Sequence, residues 1–343
     1  MRLSLQPVIF VFSLFLIFTS CKKTSDIHSS SPVVNVYITG TDNNDAVYWK
    51  NNTEVHLTNG SSNAYGSSIF VNSNNDVYVS GGQVISGSAS ANYWKNGQLN
   101  SLANNGDIAS IANYISVSGS DVYVTGMVEK TGANPHAVYW KNGLQYGYVD
   151  ANSVALCGFV SGTDVYLAGY TINTLTTSNN IISDAMYEKN NTPVDISTGN
   201  VGGVVQSLYV SGNSVYAAGY SYDTQGIFNY ATIWLNNVPT LLSKQKSSAA
   251  QGIFVYQNDV YVCGFESLTN GGTFSATVWK NGVPTHLSTQ ASSATSIFVN
   301  NGDVYVSGTT TDAQGAINAV YWKNGTITNI GAAGSSARAI FVK

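Results

Sequence analysis

Seven times along this chain a Val-Tyr-Val-x-Gly stretch, with small variations, leads through a loop of changing length to an Ala-Val-Tyr-Trp-Lys-Asn-Gly hairpin. A short apolar segment and a Ser-Ile-Phe-Val segment follow. The anchor tyrosines are Tyr37, Tyr78, Tyr123, Tyr166, Tyr216, Tyr261 and Tyr305, spaced by 41, 45, 43, 50, 45 and 44 residues. A self-similar unit of about 40–50 residues that reads as four strands is one blade of a β-propeller. Each anchor is followed at one offset by a glycine: Gly40, Gly81, Gly126, Gly169, Gly219, Gly264 and Gly308. Glycine held at one place in a strand points to a special backbone angle or to a close approach of another chain segment. The doublets Gly81-Gly82 and Gly202-Gly203 read in addition as loop breakers.

Within a unit the first strand is Ser-Ile-Phe-Val, as at Ile297–Val299, and the second is Asp303-Val304-Tyr305-Val306. The third is Ala319-Val320-Tyr321-Trp322-Lys323, and the fourth is short, as in Thr285-His286-Leu287. Asn-Gly joins the third and fourth strands at Asn96-Gly97, Asn142-Gly143, Asn281-Gly282 and Asn324-Gly325, and Asn-Asn does so elsewhere. These pairs tolerate the two positive φ angles of a type I′ turn, so they mark hairpins. The second and third strands mix Val, Ile, Tyr and Trp with little polar alternation, which suits sheets covered on both faces.

The order of strands at the two ends predicts how the ring closes. The repeats begin in a second strand (Asn35-Val36-Tyr37-Ile38) and end in a first strand (Ala339-Ile340-Phe341-Val342). The expected fold is therefore all-β: a seven-bladed propeller with four antiparallel strands per blade, the last strand completing the blade that the first strands begin. All six tryptophans, Trp49, Trp94, Trp140, Trp234, Trp279 and Trp322, share one repeat position, and Glu188 stands there in blade 4. A tryptophan stripe suits sugar stacking, but such strict placement favours packing between blades.

The N-terminus carries a different signal. Arg2, an apolar run from Val8 to Phe18 and then Phe18-Thr19-Ser20-Cys21 read as an export sequence, with a run short for a spanning helix. Cys21 followed by Lys22-Lys23 and a Ser-rich stretch is similar to the lipobox and tether of bacterial envelope lipoproteins of the Bacteroidota type. In its Trp-Lys-Asn-Gly units the chain also resembles the repeat propellers of such lipoproteins. That resemblance implies a signal peptide at residues 1–21 with a lipid on Cys21, a tether at 22–33 and the propeller at 34–343. It implies a place at the cell envelope, on the surface or the periplasmic side of the outer membrane, held only through the lipid. The Gly-His and Trp-Asp signatures of WD40 propellers are missing.

Charged residues make up only 9% of the chain and the formal net charge is −4. This balance argues against electrostatic binding of nucleic acid. Of the remaining cysteines, Cys157 and Cys263 fall in non-adjacent blades and read as buried free thiols rather than a disulfide. No metal-type Cys/His spacing and no phosphate loop or Gly-x-Ser-x-Gly elbow is present, so no cofactor and no catalytic set is assigned. His136 and Glu129 share a loop, and His56 and His286 share a repeat position.

Two faces are expected. One carries Asp76, Asp121, Asp164, Asp259 and Asp303 beside the lysines that end the third strands, a repeated and self-cancelling set. The other carries the variable loops, longest at Tyr170–Asp184, with acidic residues at Asp42, Asp45, Glu129, Asp184, Asp223, Glu266 and Asp312. Aromatic candidates for sugar contact there are Tyr170, Tyr220, Tyr222, Phe228, Tyr230 and Phe265. Arg338 is the only arginine after the leader. Aligning the repeats on the first strand brings Ser67, Asn113, Leu156, Gln206, Gln251 and Thr295 to its position. Such a ring at the mouth of the channel suits a carboxylate or sugar acid gripped by arginine among amides and hydroxyls. The expected activity is non-catalytic binding of a glycan or an envelope protein by a monomer. The alternatives are a carbohydrate-active lyase or hydrolase at the channel mouth, or a structural scaffold.

Overall fold

The computed structural model describes residues 34–343 except 61–62, 86, 173–182, 198–201, 224–227, 244–246 and 269–271. The export sequence, Cys21, the tether and most of the Tyr170–Asp184 loop lie outside the described residues. The described chain forms seven four-stranded antiparallel sheets. Blade 1 is β28 (Ser335–Val342), β1 (Val36–Asp42), β2 (Asp45–Lys50) and β3 (Thr53–His56), from the inside outward. Blades 2 to 7 follow in chain order, and their innermost strands are β4 (Ala64–Val71), β8 (Ala109–Ser118), β12 (Ser153–Ser161), β16 (Gly203–Ser211), β20 (Ala249–Tyr256) and β24 (Ser292–Asn300). These innermost strands touch in cyclic order, and β28 meets both β24 and β4, so the ring is closed. Closure joins the two strands expected from the sequence, with Val36 paired to Val342, Tyr37 to Phe341 and Ile38 to Ile340. Lys343 extends it by donating from Nζ to Asn72 O at 2.6 Å, Ser73 O at 2.9 Å and Asn75 Oδ1 at 2.8 Å in blade 2.

Local chemistry accounts for the blades. Every turn between third and fourth strands has positive φ at both central residues, for example Asn142 at 52° and Gly143 at 82°, or Asn190 at 50° and Asn191 at 66°. These are type I′ geometries, whose twist matches the flanking strands. Most fourth strands run four residues, but β11 (Leu144–Ala151) and β27 (Thr326–Ala333) run eight. In both, a register shift against the third strand takes up the extra length.

The six tryptophans are 0–2% exposed. Each packs in a cluster that spans two blades: Trp94 meets Tyr37, Ala46 and Ile69, and Trp322 meets Tyr261, Ala276 and Ile297. Sealing one such side chain away from water contributes about 4–6 kcal/mol. The interface between blades 3 and 4 has no tryptophan; its cluster of Tyr123, Ala137, Ala155, Val165 and Leu167 has buried Glu188 at the repeat position instead. The tryptophans are inter-blade core and are not available to a sugar.

Candidate functional site

The channel wall is built by one backbone device repeated seven times. In every innermost strand the register against the second strand shifts by one residue. The residue skipped is Arg338 in blade 1, then Ser67, Asn113, Leu156, Gln206, Gln251 and Thr295. A β-bulge of this kind leaves one residue unpaired and re-aims its side chain. The ring obtained by aligning repeats is thus the set of bulged residues. The bulge also explains the repeat glycine. A Cβ on Gly126 would lie 1.8 Å from Ile111 O, and one on Gly264 would lie 2.0 Å from Ala249 O. The close approach, rather than an unusual φ, requires glycine here; Gly81 and Gly82 lie inside β5 (Val77–Ile85) and do not break it.

All seven bulged residues line one central cavity of about 500 Å³. Their side chains divide into two groups. Asn113 Nδ2 donates to Ala155 O of the next blade at 2.8 Å, and Thr295 Oγ1 donates to Ala337 O at 3.1 Å while meeting Ser307. These two are committed to joining blades. Arg338, Gln206 and Gln251 make no side-chain hydrogen bond among the described residues, and Ser67 Oγ is buried without a partner.

Arg338 stands over the Tyr65 ring, its guanidinium carbon 5.2 Å from the centroid. Among the described residues no carboxylate lies within ion-pair distance of it, whereas Lys95, Lys141, Lys189, Lys280 and Lys323 on the Asp–Lys face each pair with an aspartate. Solvent reaches the guanidinium through the channel, yet protein surrounds it on the other sides; that loss of hydration lowers its pKa, with Tyr65 opposing the shift. It stays a cation at neutral pH. By blade order, Leu156 and Gln206 lie across the ring from Arg338, Gln251 lies two blades from it, and Ser67 and Thr295 lie beside it.

Three residues beyond the bulge the wall carries a second ring that sequence reading treated only as strand. Phe341, Phe70, Phe159, Tyr209, Phe254 and Phe298 occupy that position, with Ser116 in blade 3. Adjacent rings touch with centroids 4.7–5.2 Å apart. The repeated Phe of Ser-Ile-Phe-Val was the available signal. Tyr114, next to the bulge in blade 3, and Cys157 in blade 4 also line the cavity. Burial raises the pKa of both, so the phenol and the thiol are held neutral. The described lining holds no carboxylate and no imidazole.

The other candidates are engaged locally. Asp45 is bonded by Thr58 Oγ1 at 2.7 Å, Gly60 N and His56 Nδ1. Buried Glu266 accepts from Ser243 Oγ at 2.5 Å and pairs with His286 Nε2 at 3.4 Å. Asp312 accepts from Gln314 N and Ala316 N of its own loop. Glu129 and His136 make no hydrogen bond to each other. Tyr170, Tyr220, Tyr222, Phe228, Tyr230 and Phe265 are half-buried rather than exposed, with Tyr220 and Tyr222 edge to face at 5.6 Å. Cys157 and Cys263 are free and buried. Among the described residues no three His, Cys, Asp or Glu side chains gather as a metal site.

No family model matches this chain, and no curated protein does. Solved structures match it in architecture. The β-propeller domain of the Trilobed protease from Pyrococcus furiosus aligns with a TM-score of 0.48 and 7% identity, covering 88% of this chain and 95% of that one. The polysaccharide lyase Uly1 aligns with a TM-score of 0.48 and 8% identity over 84% and 85%. The SapL1 lectin, in complex with alpha methyl fucoside, aligns with a TM-score of 0.43 and 13% identity over 78% and 96%. Likeness at this level carries no argument about activity, which has to come from the channel itself.

Proposed function

We propose that this chain is a non-catalytic binding propeller of the bacterial envelope, lipid-anchored through Cys21, that receives an acidic glycan in its central channel. One observation carries the reading: Arg338 is a guanidinium without an ion-pair partner on a cavity wall that it shares with two amides, Gln206 across the ring and Gln251 two blades away, neither with a hydrogen bond of its own among the described residues. A cation on a concave wall with no anion beside it is a place where a ligand can supply the missing charge. Arginine with amide neighbours suits a carboxylate and adjacent hydroxyls. Binding is favoured over acid–base catalysis because the described wall has no carboxylate or imidazole, and its phenol and thiol are held neutral.

Calorimetric titration with an oligogalacturonate and a neutral oligosaccharide of equal length tests this. The acidic chain should bind and the neutral one should not. Arg338→Ala should weaken binding by at least about tenfold and change the melting temperature little, since its contact with the Tyr65 ring is worth only about 0.5–1 kcal/mol. Equal binding of the two sugars, or an Arg338→Ala protein that binds as before, would contradict the proposal. A large fall in melting temperature would instead make Arg338 a structural residue.

A further inference from the structure

The channel has two levels of different chemistry, and together they specify more than a negative charge. The upper level, nearer the variable loops, is the bulge ring with Arg338, Gln206 and Gln251. The lower level is the collar of six aromatic rings, three residues further along each strand toward the Asp–Lys face. Three residues of strand span about 10 Å along the chain. Both levels line the same cavity of about 500 Å³, within the usual range for small-ligand pockets. The residues just after the bulge are small in six blades, as with Ala339, Ser207 and Gly252, which leaves space between the levels. Tyr114 is the large exception, in the blade where the collar has Ser116 in place of an aromatic.

We infer that the channel selects a carboxylate carried on a ring with an apolar face, the carboxylate meeting Arg338 and the ring lying against the aromatic collar. This inference rests on the acidic-ligand reading above and adds that the aromatic collar recognises the ring's apolar face. The Tyr65 ring lies beneath the guanidinium at 5.2 Å, a cation–π contact that favours one placement of the cation before a ligand arrives. Adjacent collar rings are tilted 45–57° between Tyr209, Phe254 and Phe298, so ring faces as well as edges are presented to the channel. A sugar offers its C–H face to such a surface and an aryl acid offers its π-face. A short aliphatic acid offers neither, and a neutral sugar lacks the charge.

Four probes titrated into the intact protein separate these contributions: acetate, glucose, glucuronate and benzoate. Glucuronate or benzoate should bind about tenfold or more tighter than acetate, and glucose should not bind detectably. If glucuronate leads, the natural ring is a sugar acid; if benzoate leads, it is an aryl acid; either supports the inference. Arg338→Gln should weaken both ring acids, and Phe298→Leu should weaken them while leaving acetate unchanged. Acetate binding as tightly as the ring acids would overturn the inference while leaving the acidic-ligand reading intact. Failure of every carboxylate, oligogalacturonate included, would overturn both. Should Phe298→Leu fold poorly, the comparison of probes on the unaltered protein decides the matter by itself.

Discussion

At the residue scale, the informative positions are those where one side chain departs from what six sister repeats carry. Arg338 replaces amide, hydroxyl or leucine, Glu188 replaces tryptophan, and Tyr114 and Ser116 depart together at the blade 3 wall. The glycines show the opposite case, where no departure is possible. A methyl group on Gly126 would meet Ile111 O at 1.8 Å and Ala112 Cα at 3.2 Å, both backbone atoms of the bulged strand. Gly126→Ala must push β8 away from β9 (Asp121–Glu129) and move Asn113 off Ala155 O. A loss of about 1–3 kcal/mol in chemical denaturation is expected. Gly147→Ala serves as control, because nothing lies within 4 Å of its added methyl; its change should stay within about 0.5 kcal/mol. Equal effects of the two substitutions would contradict the close-approach account of the repeat glycine.

At the scale of the element, the hairpin at the end of blades 2, 3, 4, 6 and 7 is a small electrostatic unit. In blade 3, Lys141 Nζ sits 2.7 Å from Asp121 Oδ2 and 5.3 Å from the Tyr123 ring centroid, and Asn142 Nδ2 donates to Asp121 Oδ1 at 2.9 Å. Blades 4, 6 and 7 repeat it with Lys–Asp distances of 2.7, 2.7 and 2.9 Å. The lysine hydrogen bond and then the asparagine hold the carboxyls of Asp121, Asp164, Asp259 and Asp303 below their ordinary value of 3.8. A depressed folded-state pKa contributes stability that is complete above the unfolded value and is lost as pH falls through the folded value. Thermal melts should therefore hold level down to about pH 5 and decline below about pH 4. Replacing these four aspartates with asparagine should shrink that decline, and only modestly because the pairs are solvent-exposed. A decline of the same size in the fourfold variant would show that other carboxylates govern acid stability.

At the scale of the whole molecule, seven blades, four strands each, and closure of β28 on β1 were all legible, because period, turn dipeptides and the offset of the two ends are written in local sequence. The ring of Arg338, Ser67, Asn113, Leu156, Gln206, Gln251 and Thr295 was legible by alignment, but its cause was not. A bulge is one residue more on one strand than on its partner, and nothing marks it until the pairing is known; the facing glycine was its only trace. Nor did sequence reveal that Asn113 and Thr295 are bound to the neighbouring blade while Gln206 and Gln251 are not, since that depends on distances across an interface. The collar was missed for a related reason: Phe in a strand reads as core until the ring closes and turns it toward the channel. The most direct test of the account is a crystal structure of the protein with glucuronate. The account predicts the carboxylate about 2.8 Å from the Arg338 guanidinium, with the sugar ring in the channel between the bulge ring and the collar. Glucuronate seated between blades or on the outer loops, with Arg338 untouched, would contradict it.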